Sequence, residues 1–252
     1  MLECVELDVV VAGRRLVESL SFAARAGRFV ALLGRNGAGK TLTLHTLAGL
    51  RDPAGGTVSL EGRPLADWPA AARARRLALL PQATEDPFPV TALETVLIGR
   101  HPHIGFWSWE DDRDIQVARA CLSAMDLAGC EDRVVDSLSG GERRRLAVAT
   151  LLAQDPVLCL LDEPTNHLDP PHQLSVLHLF RSRADGGGTV VASLHDPTLA
   201  ARFADDVLLL YGDGHWDFGT RDEVLTDARL SALYGSPMYE LAWRDRRVFV
   251  AG

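Results

Sequence analysis

The chain has 252 residues, 47% of them hydrophobic, and 26 Lys and Arg against 34 Asp and Glu give it a formal net charge of −8. It is long enough for one large domain, but it is a poor candidate for nucleic-acid binding, because non-specific phosphate binding depends on clustered Lys and Arg. We therefore expect no nucleic-acid partner. Its apolar runs are far shorter than the ~20 residues that cross a membrane, and Glu3, Glu6 and Asp8 do not fit a signal peptide, so we expect a cytosolic chain.

Five short apolar runs predict buried β-strands that alternate with helical patterns. In chain order they are FVALL (29–33), LALL (77–80), VLCLL (157–161), TVVASL (189–194) and VLLLY (207–211). This alternation is typical of an α/β fold in which helices cover a mostly parallel sheet. Ligands of such sheets bind beyond the carboxyl ends of the strands, so the loops that follow these runs are expected to form one site.

The helical patterns divide the chain further. Residues 83–155 contain one helical pattern after another with no convincing strand, which predicts a helical subdomain inserted into the sheet domain. The sheet domain then consists of residues 1–82 and 156–236. Residues 237–252 form two short alternating runs and predict a C-terminal β-hairpin.

The loop after the first apolar run is a candidate phosphate loop. It matches the pattern G-x-x-x-x-G-K-[ST] with Gly34, Arg35, Asn36, Gly37, Ala38, Gly39, Lys40 and Thr41. Its glycines let backbone N–H groups surround phosphate oxygens, Lys40 reaches the β and γ phosphates, and Thr41 ligates Mg²⁺. Taken alone, this loop fits a small kinase or a GTPase equally well.

The run at residues 157–161 ends in two carboxylates, Asp162 and Glu163. Consecutive residues of a strand point in opposite directions, so the two acids can take separate roles. We expect Asp162 to hold the Mg²⁺ shell and Glu163 to act as the general base on an attacking water.

The sequence Leu-Ser-Gly-Gly-Glu at residues 138–142, here called the signature loop, precedes a helical pattern. Ser139 and Glu142 have the spacing of a capping box, but capping does not explain Gly140 and Gly141, because glycine destabilises a helix start. Close approach of an anion to the backbone does explain them. Together with the phosphate loop and the acidic strand, this motif resembles the signature of ATP-binding cassette (ABC) ATPases.

That resemblance implies a P-loop NTPase core, a mostly parallel sheet with an antiparallel β edge and a helical insertion, that hydrolyses ATP with Mg²⁺. Gln82 is similar to the family's Q-loop glutamine, which joins the ATP and Mg²⁺ site to the helical subdomain. Asp169 ends a segment, residues 164–169, that resembles the D-loop at the nucleotide. His195 resembles the switch histidine that contacts the γ phosphate.

The family also implies a head-to-tail dimer. Each ATP then lies between the phosphate loop of one copy and the signature loop of the other, so Ser139, Gly140 and Gly141 complete the site of the second copy. A chain with one motif of each kind forms two equivalent sites only by pairing with a copy of itself.

Two nucleotide-site positions depart from the family's pattern. Val11 stands where most members have an aromatic residue that stacks on adenine, and Leu42 stands where a second hydroxyl residue commonly follows the Mg²⁺ ligand. Backbone N–H groups still surround the phosphates, so we expect weaker side-chain support without loss of binding.

The stretches GRHPH (99–103) and TNHLD (165–169) resemble the ATPases of large-fold bacterial importers for iron(III)-siderophores, haem or vitamin B12 (cobalamin). In that group the ATPase lies on the cytoplasmic face of the inner membrane. Its helical subdomain receives a coupling helix of an integral-membrane permease, which works with a periplasmic substrate-binding protein. Trp107 and Trp109 are either core or part of this docking surface. His101 and His103 lack a further ligand at metal-site spacing, which argues against a metal pair.

Two other classes of function are weighed against the importer. A soluble ABC-type ATPase that acts on DNA or ribosomes would carry long coiled coils, two cassettes or basic extensions, and this acidic chain has none of these. An exporter ATPase fits less well, because the chain lacks a fused membrane domain. The transported molecule contacts the permease and the binding protein, so siderophore, haem and cobalamin all remain open.

Overall fold

The computed structural model describes residues 1–82, 89–105, 108–244 and 246–252. The strands within these ranges are, in order, β1 (Leu2–Val11), β2 (Arg14–Ala24), β3 (Phe29–Leu33), β4 (Gly55–Leu60), β5 (Arg63–Pro64), β6 (Leu77–Leu80), β7 (Leu158–Leu161), β8 (Thr189–Ser193), β9 (Asp206–Leu210), β10 (Trp216–Thr220), β11 (Met238–Trp243) and β12 (Arg246–Ala251). The α-helices are α1 (Lys40–Leu47), α2 (Ala70–Ala74), α3 (Ala92–Ile98), α4 (Asp112–Ala124), α5 (Gly140–Gln154), α6 (Pro170–Asp185), α7 (Pro197–Phe203), α8 (Arg221–Val224) and α9 (Asp227–Tyr234).

The central sheet has six strands in the order β10-β9-β3-β8-β7-β6. Strands β9, β3, β8, β7 and β6 pair in parallel, and β10 adds an antiparallel edge. The prediction of five buried strands is confirmed, with four ends shifted by one residue: β7 begins at Leu158, β8 ends at Ser193, and β9 begins at Asp206 and ends at Leu210. The order brings the carboxyl ends of β3, β7 and β8 next to one another.

Strand β3 is buried on both faces and lies between two hydrophobic cores. Phe29, Ala31 and Leu33 pack into the core beneath the helices, whereas Val30 and Leu32 pack into the core shared with the N-terminal sheet. Burial on both faces explains why the strand reads as a continuous apolar run instead of an alternating one. It also anchors the start of the phosphate loop from two sides.

A four-stranded antiparallel sheet, in the order β2-β1-β4-β5, covers the second core. We did not predict the long strands β1 and β2 from the sequence. The pairing of β1 with β2 shifts register between Cys4 and Leu7 and again between Leu7 and Val9. The inward-facing positions therefore change from even to odd residue numbers, which breaks the period-two pattern that marks a half-buried strand.

The predicted helical insertion is confirmed in the described residues. Helices α3, α4 and α5 pack against one another, and an isolated bridge joins Thr91 to Val134. Leu146, Val148 and Ala149 of α5 belong to the same core as the helix-covered face of the central sheet. Helix α5 is therefore attached firmly to the strands that carry the site.

The predicted C-terminal hairpin is also present, as β11 paired with β12 in a separate two-stranded sheet. Met238 and Phe249 anchor it to the main core. None of the helices in the described part of the chain has the length and the apolar character needed to cross a membrane.

Candidate functional site

The phosphate loop leaves the carboxyl end of β3 and enters α1 at Lys40, as predicted. Its conformation needs glycine at two positions. A Cβ atom on Gly34 would lie 2.6 Å from the backbone oxygen of Leu210, and Gly39 has a φ of 99°, a left-handed value that other residues rarely adopt. The backbone is therefore free to curl beneath a ligand at the start of a helix.

A cavity of about 350 Å³ lies over this loop. Its lining residues are Val11, Leu16, Asn36, Gly37, Gly39, Lys40, Thr41, Leu42, Gln82 and Glu163. The structure thus brings together residues that we predicted from four separate segments, including Val11 and Leu42, the two departures from the family pattern. Leu16, which is buried against Gly39, is a lining residue that we did not predict.

Lys40 is a buried cation held by its own loop. Its Nζ donates to the backbone oxygen of Gly34 at 2.8 Å and to that of Arg35 at 3.3 Å, and the residue is only 5% exposed. Burial lowers the pKa of Lys40, while the carboxylates of Glu163 and Asp162 oppose that shift. Because Lys40 is already removed from water, its charge would attract an anionic ligand in the cavity more strongly than an exposed charge would.

Asp162 is fully buried at the end of β7. Its Oδ1 accepts a hydrogen bond from Ser193 Oγ at 2.7 Å, whereas its buried Oδ2 has no partner among the described residues. A buried anionic oxygen without a partner is unfavourable. A hard cation with oxygen ligands would satisfy it, so the carboxylate of Asp162 and the hydroxyl of Thr41, which lines the cavity, are the types of ligand that fit Mg²⁺.

Glu163 forms the centre of a polar cluster and is 6% exposed. Its Oε1 lies 2.6 Å from His195 Nε2, and its Oε2 accepts hydrogen bonds from Gln82 Nε2 at 2.9 Å and from Asn166 Nδ2. Its backbone N–H donates to Ser193 Oγ at 2.8 Å. Three residues that we predicted from three different loops, Gln82, Glu163 and His195, are therefore in direct contact.

The signature loop lies at the start of α5 and has the predicted capping box. Ser139 Oγ accepts a hydrogen bond from the backbone N–H of Glu142 at 3.2 Å, and Glu142 Oε2 accepts one from the backbone N–H of Ser139 at 2.7 Å. Hydrogen bonds to its carboxylate from the backbone and side chain of Ser139, with a further one from Arg133, lower the pKa of Glu142 to about 2. The start of the helix is therefore rigidly capped.

The signature loop does not reach the cavity of its own chain. Neither Ser139, Gly140, Gly141 nor Asp169 lines that cavity. Ser139 and Gly140 are exposed, Gly141 packs beside the backbone of His167, and Asp169 caps α6 through the backbone N–H of His172 at 3.2 Å. One chain thus keeps the two predicted halves of the nucleotide site apart.

The helical insertion carries an exposed tryptophan. Trp109 is 88% exposed, so the core alternative is wrong for this residue, whereas Trp107 lies outside the described residues. His103 Nε2 lies 2.8 Å from the backbone oxygen of Gln154, and His101 lies 3.7 Å from Glu110.

Comparison with known proteins identifies the family. The family described as "ABC transporter" matches residues 17–166. The hemin import ATP-binding protein HmuV of Gloeobacter violaceus is 41% identical over 242 residues, covering 93% of this chain and 87% of the relative. The HmuV protein of Pseudomonas aeruginosa is 40% identical over 240 residues, covering 93% and 92%.

Solved structures agree with the sequence matches. A metal-chelate type ABC transporter in an inward-facing conformation is 30% identical, with a TM-score of 0.86 over 100% of this chain and 97% of that chain. An ATP binding subunit of an ABC transporter is 25% identical, with a TM-score of 0.78 over 94% and 95%. With the phosphate loop, the carboxylate pair and the signature loop in place, the chain belongs to the ABC transporter family as an ATP-binding subunit with ATPase activity.

Proposed function

We propose that this chain is the ATPase subunit of a hemin importer. ATPase activity is supported by one observation above all: Glu163, at the centre of its polar cluster, lines the same cavity as Lys40 of the phosphate loop. The names of the two relatives above support hemin over a siderophore or cobalamin as the transported molecule.

In this proposal the backbone of the phosphate loop and Lys40 bind and orient the β and γ phosphates of ATP. Glu163 accepts the proton of the water that attacks the γ phosphorus, and ADP leaves. Mg²⁺, held by Thr41, Asp162 and Gln82, would neutralise phosphate charge. Gln82 donates a hydrogen bond to Glu163, and His195 Nε2 lies 2.6 Å from Glu163 Oε1, so each residue would exchange its contact with Glu163 for one at the ligand.

A second copy of the chain would complete the nucleotide site. Four residues lie at the surface or against a loop and do not line the cavity of their own chain, which fits a role in the site of a partner: Ser139, Gly140, Gly141 and Asp169. A helix start with two glycines suits close approach to a phosphate. The proposed unit is therefore a head-to-tail dimer with two composite sites.

The permease is proposed to dock on the helical subdomain, residues 83–155. A groove of about 220 Å³ there is lined by side chains of α3 and α5 and by the end of β6, among them Ile98, Leu146 and Pro81. Pro81 precedes Gln82, so a helix seated in this groove would contact the loop that reaches Glu163. The chain would then lie at the cytoplasmic face of the membrane, and a periplasmic binding protein would act on it only through the permease.

The test of this function is reconstitution with a candidate integral-membrane permease. We expect the complex to co-purify and its ATP hydrolysis to rise when the binding protein carries hemin, but not when it carries a siderophore or cobalamin. Equal stimulation by all three would contradict the substrate, and failure to associate with the permease would contradict the transport role.

Trp109 offers a separate test of the docking surface. Because its side chain is 88% exposed, Trp109→Ala should change the free energy of unfolding by less than about 0.5 kcal/mol. If the surface around Trp109 contacts the permease, the variant should lose stimulated hydrolysis and keep basal hydrolysis. Leu50→Ala, at an exposed apolar residue after α1, is the matched control. Normal stimulation of the Trp109 variant would remove this residue from the interface.

A further inference from the structure

Three consecutive arginines of α5 make contacts in three different directions. Arg143 donates to backbone oxygens of the loop that precedes its own helix, at residues 136 and 138. Arg145 donates to backbone oxygens at the end of α4, at residues 125 and 126. Arg144 points to neither of these and enters the interior beneath the candidate site.

Arg144 is 5% exposed, and its three guanidinium nitrogens together donate to backbone oxygens of two separate loops. In the loop after β6 the acceptors are Pro81 at 2.6 Å and Gln82 at 3.3 Å. In the loop after β7 they are Asp162 at 2.5 Å, Glu163 at 2.8 Å and Pro164 at 3.3 Å. Five bonds use the full donor capacity of a guanidinium, so one side chain joins α5 to both loops.

The charge of Arg144 also matters to the site. Burial lowers the pKa of Arg144 to about 10, so it remains charged at neutral pH, and the carboxylates of Asp162 and Glu163 favour that charge. The same two carboxylates favour the charge of Lys40. The buried acids therefore interact with one cation from the phosphate loop and one from α5. A lysine at position 144 would keep the charge but has only three donors and no planar fork.

We propose that Arg144 is a positioning residue through which α5, the helix that begins at the signature loop, holds Glu163 and Gln82 of the same chain in place. The proposal rests on the composite dimer of the proposed function. In that dimer the start of α5 contacts the nucleotide bound by the partner copy, while Arg144, in the next turn, holds the general base of its own site. A shift of α5 when nucleotide binds to the partner copy would then move Glu163. Nucleotide binding at one site would in this way change the rate of hydrolysis at the other.

The first test compares neighbouring arginines of the same helix. Arg144→Met should lower kcat about ten-fold or more while leaving ATP affinity unchanged, because a misplacement of ~1 Å at a reacting group can cost about 100-fold in rate. Arg144→Lys should lie between that variant and the wild type. Arg145→Met, which loses contacts only within the helical insertion, should lower the melting temperature and keep kcat. Wild-type kcat in folded Arg144→Met, or an equal fall in Arg145→Met, would overturn the proposal.

The second test asks in which chain Arg144 acts. Mixed dimers are purified through two different tags, and one chain carries Glu163→Gln, so that only the other chain supplies a general base. Arg144→Met in the chain with intact Glu163 should lower turnover, whereas in the chain with Glu163→Gln it should have little effect. The opposite pattern, or equal effects, would show that Arg144 acts through the signature loop and would overturn the proposal.

Both tests remain interpretable if the methionine variant does not fold, because Arg144→Lys can replace it in the same design. Turnover by the wild type and ATP-dependent dimerisation of Glu163→Gln are measured first. Absence of either would contradict the proposed function itself. Normal behaviour of the wild type together with normal behaviour of the Arg144 variants would contradict only the role of Arg144.

Discussion

The Glu163 cluster and the signature loop, the two predicted halves of the nucleotide site, differ in how many polar contacts they make within their own chain. Glu163 is 6% exposed and contacts Gln82, Asn166 and His195 of the same chain. At the signature loop, Ser139 and Gly140 are exposed, and the loop's polar groups serve mainly to cap α5. Folding thus supplies Glu163 with its polar contacts within one chain, whereas the start of α5 lies outside the lining of the cavity. In the proposed function, one chain therefore provides a complete base and an incomplete nucleotide site.

The largest effect on turnover is expected from a change of Glu163, the proposed general base. Glu163→Gln keeps the shape of the side chain and removes the base, so turnover should fall about 100-fold or more while ATP still binds. Steady-state phosphate release and nucleotide binding measured on the same preparation check this. Glu61→Gln, at an exposed carboxylate between β4 and β5 that does not line the cavity, is the control. Near-normal turnover of Glu163→Gln would assign the base to another group.

The next effect concerns Lys40, the buried cation of the phosphate loop. Lys40→Ala removes a charge-assisted contact to the phosphates worth about 1.5–3 kcal/mol, so ATP should bind about ten-fold to a hundred-fold more weakly. Titration with a fluorescent ATP analogue measures the change, and a melting curve shows whether the fold survives. An unchanged affinity would mean that Lys40 keeps its contact with Gly34 in the bound state.

A smaller effect is expected at Val11, which lines the cavity and is 39% exposed. Stacking of an aromatic ring on a base is worth about 1–3 kcal/mol, and a valine recovers only part of this. The wild type should therefore discriminate poorly between ATP and GTP, and Val11→Tyr should tighten binding by up to about ten-fold. The affinities of wild type, Val11→Tyr and Val11→Ala for both nucleotides test this. Strong ATP preference in the wild type with no gain from tyrosine would show that another group holds the base.

The smallest effect concerns the cap of the signature loop. Hydrogen bonds from Ser139 and Arg133 lower the pKa of Glu142 from 4.5 to about 2. A carboxyl whose pKa falls on folding stabilises the protein above its unfolded pKa, and this stabilisation is lost as the pH falls through the folded pKa. The difference in melting temperature between wild type and Glu142→Gln should therefore be constant above about pH 5 and shrink between 4.5 and about 2. A constant difference down to about pH 3 would contradict the shift.

Much of the central sheet and of the site could be predicted because both rest on local patterns. Strands that are buried on both faces, such as β3, are continuous apolar runs, and the loops at their ends carry residue types that phosphate chemistry requires. The N-terminal sheet was missed because its bulges near Cys4 and Leu7 break the alternation. In this sheet, the pairing of β1 with β2 decides which residues face the core. That pairing cannot be seen in a short stretch of sequence.

The residues that support the site were also missed, and for the same reason. Ser193 bridges Asp162 and Glu163 because β7 and β8 pair with Leu161 opposite Ala192. Tyr234 donates to the backbone oxygen of His195 at 3.2 Å from a helix 39 positions along the chain. Neither residue has a local signal, since a serine after apolar residues and a tyrosine at a helix end are common. Their roles depend on how strands and helices that are distant in the sequence are placed next to each other in the fold.

The proposal that a second copy completes the nucleotide site is tested most directly by the mass of Glu163→Gln in solution. This mass is measured by light scattering with and without ATP and Mg²⁺. We expect a monomer without nucleotide and a doubling of the mass with ATP. We also expect that adding Ser139→Arg, which fills the surface proposed to contact the second nucleotide, keeps the protein monomeric. A monomer at saturating ATP, or a dimer that tolerates Ser139→Arg, would contradict the claim that the signature loop completes the site of a second copy.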